Sequence, residues 1–294
     1  MDPQTYLDIA TVVTKLKMYP YFDIAHYTLM CLAVREDAHP HSSQQGAGAN
    51  AMPFSRKHPL SSWLSSMLIC FAGSFIANFL LGEPVITPFK DHQSILTATA
   101  VWYLVNFSPF DLAYKLVKFL PVKLVISVLK ETQRAHKIYH GVLVAAKLYP
   151  SAYIIIVLVG TIKGAGSGVM KNFDRLIRGI WIPGSNEILQ PTFATKASLV
   201  ASMIFLCERL NLINVPHPLI YFGVVLFFVY FKLSSVILGI HDPFAPLENL
   251  FCAIFMGGMW DALRRATVKK PAEEDETKDP RNEVIKPKEE KKKD

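Results

Sequence analysis

The chain has 294 residues, 51% of them hydrophobic, with a formal net charge of +7, and its mean hydropathy is +0.26 although residues 269–294 are almost all charged or small polar. A soluble chain of this length would form one or two domains of mixed strands and helices, whereas here the apolar residues fall into blocks of about 18 to 22, enough to cross a bilayer core of about 30 Å. Cys31, Cys70, Cys207 and Cys252 stand singly inside apolar blocks, which excludes a disulfide framework or a zinc motif.

Residues 1–14 are polar and mildly acidic at Asp2 and Asp8, with no basic n-region, so no cleavable signal is expected and the first span serves as its own insertion signal. Seven spans follow, at 19–34, 60–81, 94–110, 122–147, 151–170, 196–212 and 217–239. Turn chemistry separates them: Gly82-Glu83-Pro84, Ser108-Pro109, Pro121, Tyr149-Pro150 and Pro216-His217-Pro218. Block 244–263 holds Pro246, Glu248 and Asp261, which favours an interfacial helix over an eighth span. The expected fold is an all-α integral membrane protein with seven transmembrane helices in a 3+3 inverted repeat plus a seventh helix. Its parts are a luminal segment 1–18, repeats at 19–120 and 121–215, the seventh helix at 216–240, an interfacial segment at 241–266 and a disordered charged cytosolic tail at 267–294. The repeat rests on glycines near the middle of the second and fifth spans (Gly73; Gly160 to Gly168) and on similar openings to the third and sixth.

Basic residues cluster after the odd-numbered spans, at Arg35, Arg56, Lys57, Lys115, Lys118, Lys123, Lys171, Arg175, Arg178, Arg264 and Arg265. The positive-inside rule then puts the carboxyl end in the cytosol and the amino end in a lumen, although Lys15 and Lys17 argue the other way. Lys291 and Lys292 stand four and three places from the end, the form of a dilysine retrieval signal for endoplasmic reticulum membrane proteins.

Within the fourth span Lys123, Lys130, Arg134 and Lys137 share one helical face. A charge at the bilayer centre costs about 3 kcal/mol, so such residues line water, pair or hold an anion. Glu131 can pair with Arg134 at i, i+3, and the remaining basic strip, expected in the cytoplasmic half, suits a phosphorylated lipid headgroup; snorkelling to the interface is the plainer alternative. In the fifth span Gly160, Gly164, Gly166 and Gly168 are costly in a helix at about 1 kcal/mol each. They point to a bend or local unwinding beside Lys163, a pore or gate candidate, with close helix contact as the alternative. Ser74 and Asn78 of the second span could oppose it. His136 and His140 lack a third metal ligand, and no nucleophile elbow, metalloprotease helix, phosphate loop or paired carboxylates occur, so an enzyme reading lacks its residues.

KETQRAHKIYHGV at 130–142 and KGAGSGVMKNFDRLIRGIWIPGSNEIL at 163–189 resemble signatures of the trimeric intracellular cation channels. HPLSSWLSSML at 58–68, LLGEP at 80–84, AVWYLVNFSPFDLAYK at 100–115, PTFATKASL at 191–199 and DPFAPLE at 242–248 also resemble family segments, and the whole is most similar to the animal B subtype. The resemblance implies a homotrimer of seven-span protomers in endoplasmic or sarcoplasmic reticulum, among membrane lipids and with no nucleic-acid partner. One pore per subunit would carry potassium as counter-ion to calcium release and uptake, with phosphatidylinositol 4,5-bisphosphate bound at Lys130, Arg134 and Lys137, joined by Lys118. The pore or gate set is Lys163, Gly164, Gly166, Gly168, Ser74 and Asn78. Thr132, His140 and Lys171 depart from the family pattern, and Lys171 adds positive charge at the cytoplasmic end. The rival readings are a secondary transporter, which shares the inverted-repeat architecture, and a membrane scaffold.

Overall fold

A computed structural model describes residues 3–44, 54–177, 187–239, 244–256 and 260, so Lys291 and Lys292 lie outside the described residues. Contacts divide the chain at residue 244. In the first unit the helices are α1 (Pro3–Thr14), α2 (Tyr21–Gln44), α3 (Phe54–Lys57), α4 (Pro59–Cys70), α5 (Ala72–Leu81), α6 (His92–Phe107), α7 (Leu112–Lys118), α8 (Leu120–Leu148), α9 (Tyr153–Ile177), α10 (Phe193–Arg209) and α11 (His217–Leu238). The second unit contains α12 (Ala245–Phe255), whose 11 residues extend about 16 Å, about half of a bilayer core.

Two buried cores organise the first unit. One joins α2, α4 and α6 through Tyr27, Cys31, Met67, Cys70, Ala98 and Trp102. The other joins α8, α9, α10 and α11 through Ile138, Val142, Ile156, Phe205, Tyr221 and Phe228, and also takes Ala77 and Leu81 of α5. Between the groups α2 packs on α8, and α5 packs on α9.

The expected second span, 60–81, is therefore not one rod. It breaks at Phe71 (φ −102°, ψ 7°), and the halves α4 and α5 meet at 60°. The cause is tertiary, because the first half supplies the first core and the second half supplies the second. Cys70 loses its helical partner at the break, and His26 Nε2 donates to its carbonyl at 3.0 Å. The Phe71 ring packs against Tyr27, Phe75 and Phe89 at centroid distances of 5.6 to 6.3 Å. Gly82, at φ 72°, ends α5 in the left-handed conformation that its turn signal predicts.

The fifth span is corrected in the opposite direction. α9 runs as one helix from Tyr153 to Ile177, so the local unwinding expected at its glycines is absent. Each glycine instead seats a neighbour. A Cβ on Gly160 would meet Ser202 and Val142 at 2.7 Å, and one on Gly164 would meet Ile138 at 2.5 Å. One on Gly166 would meet the Gly73 Cα at 2.6 Å. The close-contact alternative holds, with the glycines facing different partners around the helix.

Among the described residues two helices, Tyr153–Ile177 and His217–Leu238, are long and apolar enough to cross a membrane, and the bent pair α4–α5, taken as one span, makes a third. α6 and α10, at 16 and 17 residues, are shorter than a full crossing, and polar residues are spread through α2 and α8, among them Asp23 and His26 of α2 and Lys130, Gln133, Arg134 and Lys137 of α8, which line the cavity described below. The segment 1–18 contains α1, which packs on α11, with Ala10 fully buried and Val13 against the second core.

Beyond the end of the first expected span, α2 is fastened to α9. Asp37 accepts from Arg175 Nε at 3.0 and 3.1 Å and lies 3.2 Å from Lys171 Nζ. Burial raises the Asp37 carboxyl, but the Arg175 guanidinium and the Lys171 ammonium outweigh it and hold it at about 2. A depressed carboxylate stabilises the fold above its ordinary value near 3.8 and loses that contribution only as pH falls toward about 2. The clamp is therefore constant across the physiological range. Replacing Asp37 with Asn is expected to cost about 2 kcal/mol, read as a lower thermal midpoint of the detergent-solubilised protein at pH 7, with the difference shrinking below pH 3.

Candidate functional site

Residues 130, 133, 134 and 137 occupy successive turns of one α8 face, the i, i+3, i+4, i+7 stripe of a helix. That face lines a cavity of about 250 Å³ bounded by α2, α4, α5, α6, α8 and α9. Lys130, Gln133, Arg134 and Lys137 come from α8, Lys163, Gly164 and Ser167 from α9, and Gly73 and Ser74 from α5. Asp23, His26 and Tyr27 enter from α2, Asp91 and Ser94 from the start of α6.

The structure thus merges two sites that the sequence reading keeps apart. The basic stripe and Lys163 line the same space. Lys163 Nζ donates to Ser74 Oγ at 3.4 Å, as their expected opposition requires. Its side chain lies across Gly141 of α8, where a Cβ would meet Lys163 Cγ at 2.8 Å.

The stripe sits well inside α8. Lys130 lies about 15 Å along α8 from Leu120, and Lys137 about 26 Å. The stripe therefore starts near mid-helix and runs toward Leu148, reaching the end at which α2 and α6 begin. It does not lie against the basic loop before α8.

Four cationic groups share this space. Arg134 Nη1 stands 2.9 Å from Glu131 Oε2, the predicted i, i+3 pair, and its guanidinium carbon lies 5.8 Å above the Phe228 ring. Glu131 is 1% exposed, and its contact with Arg134 is an ion pair without hydrogen-bond alignment. Lys130 and Lys137 make no hydrogen bond or ion pair among the described residues. Ammonium groups so placed stay charged only against water or an anion, since removing an ion from water costs several kcal/mol.

At the opposite lip Asp91 caps α6, its Oδ1 accepting from Gln93 N at 3.2 Å and its Oδ2 from Ser94 Oγ at 2.5 Å. These bonds from Ser94 hold its carboxyl below the usual range. Asp23 and Gln133 were not among the expected site residues. Asp23 was visible as a lone acid inside a span, and Gln133 as a neighbour of Lys130 and Arg134 on the stripe.

The remaining expected residues fall elsewhere. Lys118 does not line the cavity; it pairs with Glu36 at 3.0 Å and donates to Tyr114 Oη at 2.9 Å. Asn78 is buried outside the cavity, its backbone carbonyl accepting from Glu83 N at 2.9 Å. Gly166 belongs to the α5–α9 crossing. Gly168 makes room for Glu187, whose carboxylate a Cβ would meet at 3.0 Å. Glu187 in turn accepts from Thr192 N at 2.9 Å and from the Thr192 and Thr195 hydroxyls, so it caps α10. Among the described residues no three His, Cys, Asp or Glu side chains gather as metal ligands, and His136 and His140 merely stack at 6.4 Å.

A broken helix crossing an unbroken one beside a polar cavity, inside an all-helical apolar bundle, defines a membrane transport protein. The sequence profile of the TRIC channels matches residues 48–239, and the chain belongs to that family. It is 57% identical to trimeric intracellular cation channel type 1B.1 of Caenorhabditis elegans, over 90% of this chain and 88% of that one. Human trimeric intracellular cation channel type A is 36% identical over 85% of this chain and 80% of its own length. Among solved structures, a C. elegans trimeric intracellular cation channel without Ca2+ superposes with a TM-score of 0.74 at 52% identity. That match covers 82% of this chain and all of the other. A structure described as a basis for the activity of TRIC counter-ion channels in calcium release matches at 0.71 and 31% identity, over 79% and 99% of the two chains. These relatives are channels and not enzymes, and the B-type resemblance rests on the C. elegans 1B proteins.

Proposed function

We propose that the chain forms a monovalent cation channel of the endoplasmic or sarcoplasmic reticulum, carrying potassium as counter-ion to calcium movement, with one pore in each subunit of a homotrimer. The observation that carries this reading is the single cavity in which the α8 stripe, Lys163 of α9 and the broken span α4–α5 meet. The packing of α2 on α8 and of α5 on α9 supports the 3+3 repeat, because a twofold relation between 19–120 and 121–215 sets equivalent helices against each other. The close approach of Gly73 and Gly166 is one such contact between the paired second and fifth spans.

A phosphoinositide regulates the pore in this reading. The donor set suits it: Lys130 and Lys137 without hydrogen-bond or ion-pair partners among the described residues, and Arg134 able to present a planar fork to phosphate. Its chemistry there is neutralisation of the basic wall, which otherwise repels a permeant cation. Membrane lipids and further copies of this chain are the partners, the amino end is luminal, and Lys291 and Lys292 act as a retrieval signal.

Reconstitution of the purified protein in planar bilayers with ion substitution tests the reading. Picoampere current steps at 100 mV in potassium salts are expected, since a carrier turning over conformationally cannot sustain that flux. Saturable exchange without steps overturns the channel in favour of the transporter. Lys163→Gln is expected to raise unitary conductance by removing a positive charge beside the path.

A further inference from the structure

Asp23 and Gln133 line the cavity, and the lipid reading gives neither of them work. Every lipid-directed group there is a donor: Lys130, Arg134 and Lys137. Asp23 brings the opposite chemistry. Gln133 Nε2 donates to Asp23 Oδ1, and no basic group among the described residues lies within ion-pair distance of 4.0 Å from that carboxylate. Lys137 is within electrostatic reach of Asp23 without bonding to it.

Gln133 is 2% exposed, and its Oε1 has no hydrogen-bond partner among the described residues. With its N–H committed to Asp23, the amide presents an unmatched oxygen beside the carboxylate. A buried acceptor without a donor is costly, and water or a cation relieves it. Both groups are hard oxygen ligands, the kind that replace the hydration shell of a monovalent cation in a pore. Phosphate has no use for them, since a carboxylate repels it.

We propose that Asp23 and Gln133 form a monovalent-cation site in the cavity, with the carboxylate and the amide oxygen as ligands, and that this site sets the preference for cations over anions. The site rests on the channel reading. The basic groups of the α8 stripe hold the anionic lipid, while Asp23 of α2 and Gln133, set among those groups on α8, draw the permeant cation. An ammonium-lined cavity that conducts cations requires some such division of labour.

The experiment compares reversal potentials in a potassium chloride gradient across bilayers of fixed phosphoinositide content, for wild type, Asp23→Asn, Asp23→Glu and Gln133→Leu. Asp23→Asn is expected to lower the potassium-to-chloride permeability ratio roughly 25-fold, since one unit charge at about 4 Å in water shifts the cation and the anion about fivefold each in opposite directions. Asp23→Glu restores most of the ratio, and Gln133→Leu lowers it by a smaller factor. A merely structural Asp23 would change protein yield and leave the ratio of the surviving channels at the wild-type value, which overturns the proposal. Should Asp23→Asn give no conducting protein, Gln133→Leu decides: a lowered ratio supports the site, and an unchanged ratio overturns it. Wild-type protein without current steps removes the channel reading, and this inference with it. A conducting wild type with an unchanged ratio in both variants removes this inference alone.

Discussion

Removing the two charges one turn apart, as Lys130→Ala with Arg134→Ala, is expected to abolish phosphoinositide capture and to reduce conductance to a small fraction of wild type. A hydrogen bond to a charged group contributes about 1.5 to 3 kcal/mol, so two lost phosphate contacts amount to at least a hundredfold in affinity. Phosphoinositide-doped vesicles in a flotation assay read the first effect, and bilayer recording reads the second. The single variants separate two roles. Arg134→Ala also strips the 1%-exposed Glu131 of its ion-pair partner, so it carries a stability loss that Lys130→Ala, which breaks no bond among the described residues, does not. If the double variant binds phosphoinositide as tightly as wild type and conducts alike, the stripe serves some other purpose and the lipid role falls. The alternative in which the basic side chains snorkel predicts that outcome.

The helical spans were legible because burial in lipid demands long apolar runs, and the cavity stripe was legible because charges in such runs have few reasons to exist. Lys130, Arg134 and Lys137 accordingly share one face of α8 and Lys163 reaches Ser74, but that both groups line one cavity was not legible in their spacing. The break at Phe71 was not legible. No proline marks it, and its cause is the division of residues 59–81 between two cores, which no local pattern records. The glycines of α9 were misread for a related reason: propensity counts their cost within one helix, while the offsetting contacts lie on α5, α8, α10 and Glu187. Asn78, Gly168 and Lys118 have the right chemistry for the site and the wrong address, since helix ends and an exposed ion pair take them. Asp23 was visible only as an isolated acid. Its meaning depends on Gln133, 110 residues away in sequence.

The crossing of α5 and α9 carries the second large expectation. A Cβ at Gly166 would stand 2.6 Å from the Gly73 Cα and 2.9 Å from its nitrogen, and a Cβ at Gly73 would stand 2.8 Å from the Lys163 carbonyl oxygen. These obstacles are backbone, so no side chain can swing aside. Relief to ordinary contact requires the helices to part by about 1 Å, and Lys163 and Ser74 flank that crossing on the cavity wall. Gly166→Ala is therefore expected to cost about 1 to 3 kcal/mol, and Gly166→Val more, with lost thermal stability and lost current in the same protein. Gly223→Ala supplies the control. Nothing lies within 4 Å of a Cβ there, so the substitution is expected to be neutral or to stabilise α11 by up to about 1 kcal/mol. Thermal midpoints and bilayer currents for the three variants check this. Wild-type stability and conductance in Gly166→Val would show that the two helices do not meet backbone to backbone, and with that contact would go the support that Gly73 and Gly166 lend to the twofold relation between the repeats.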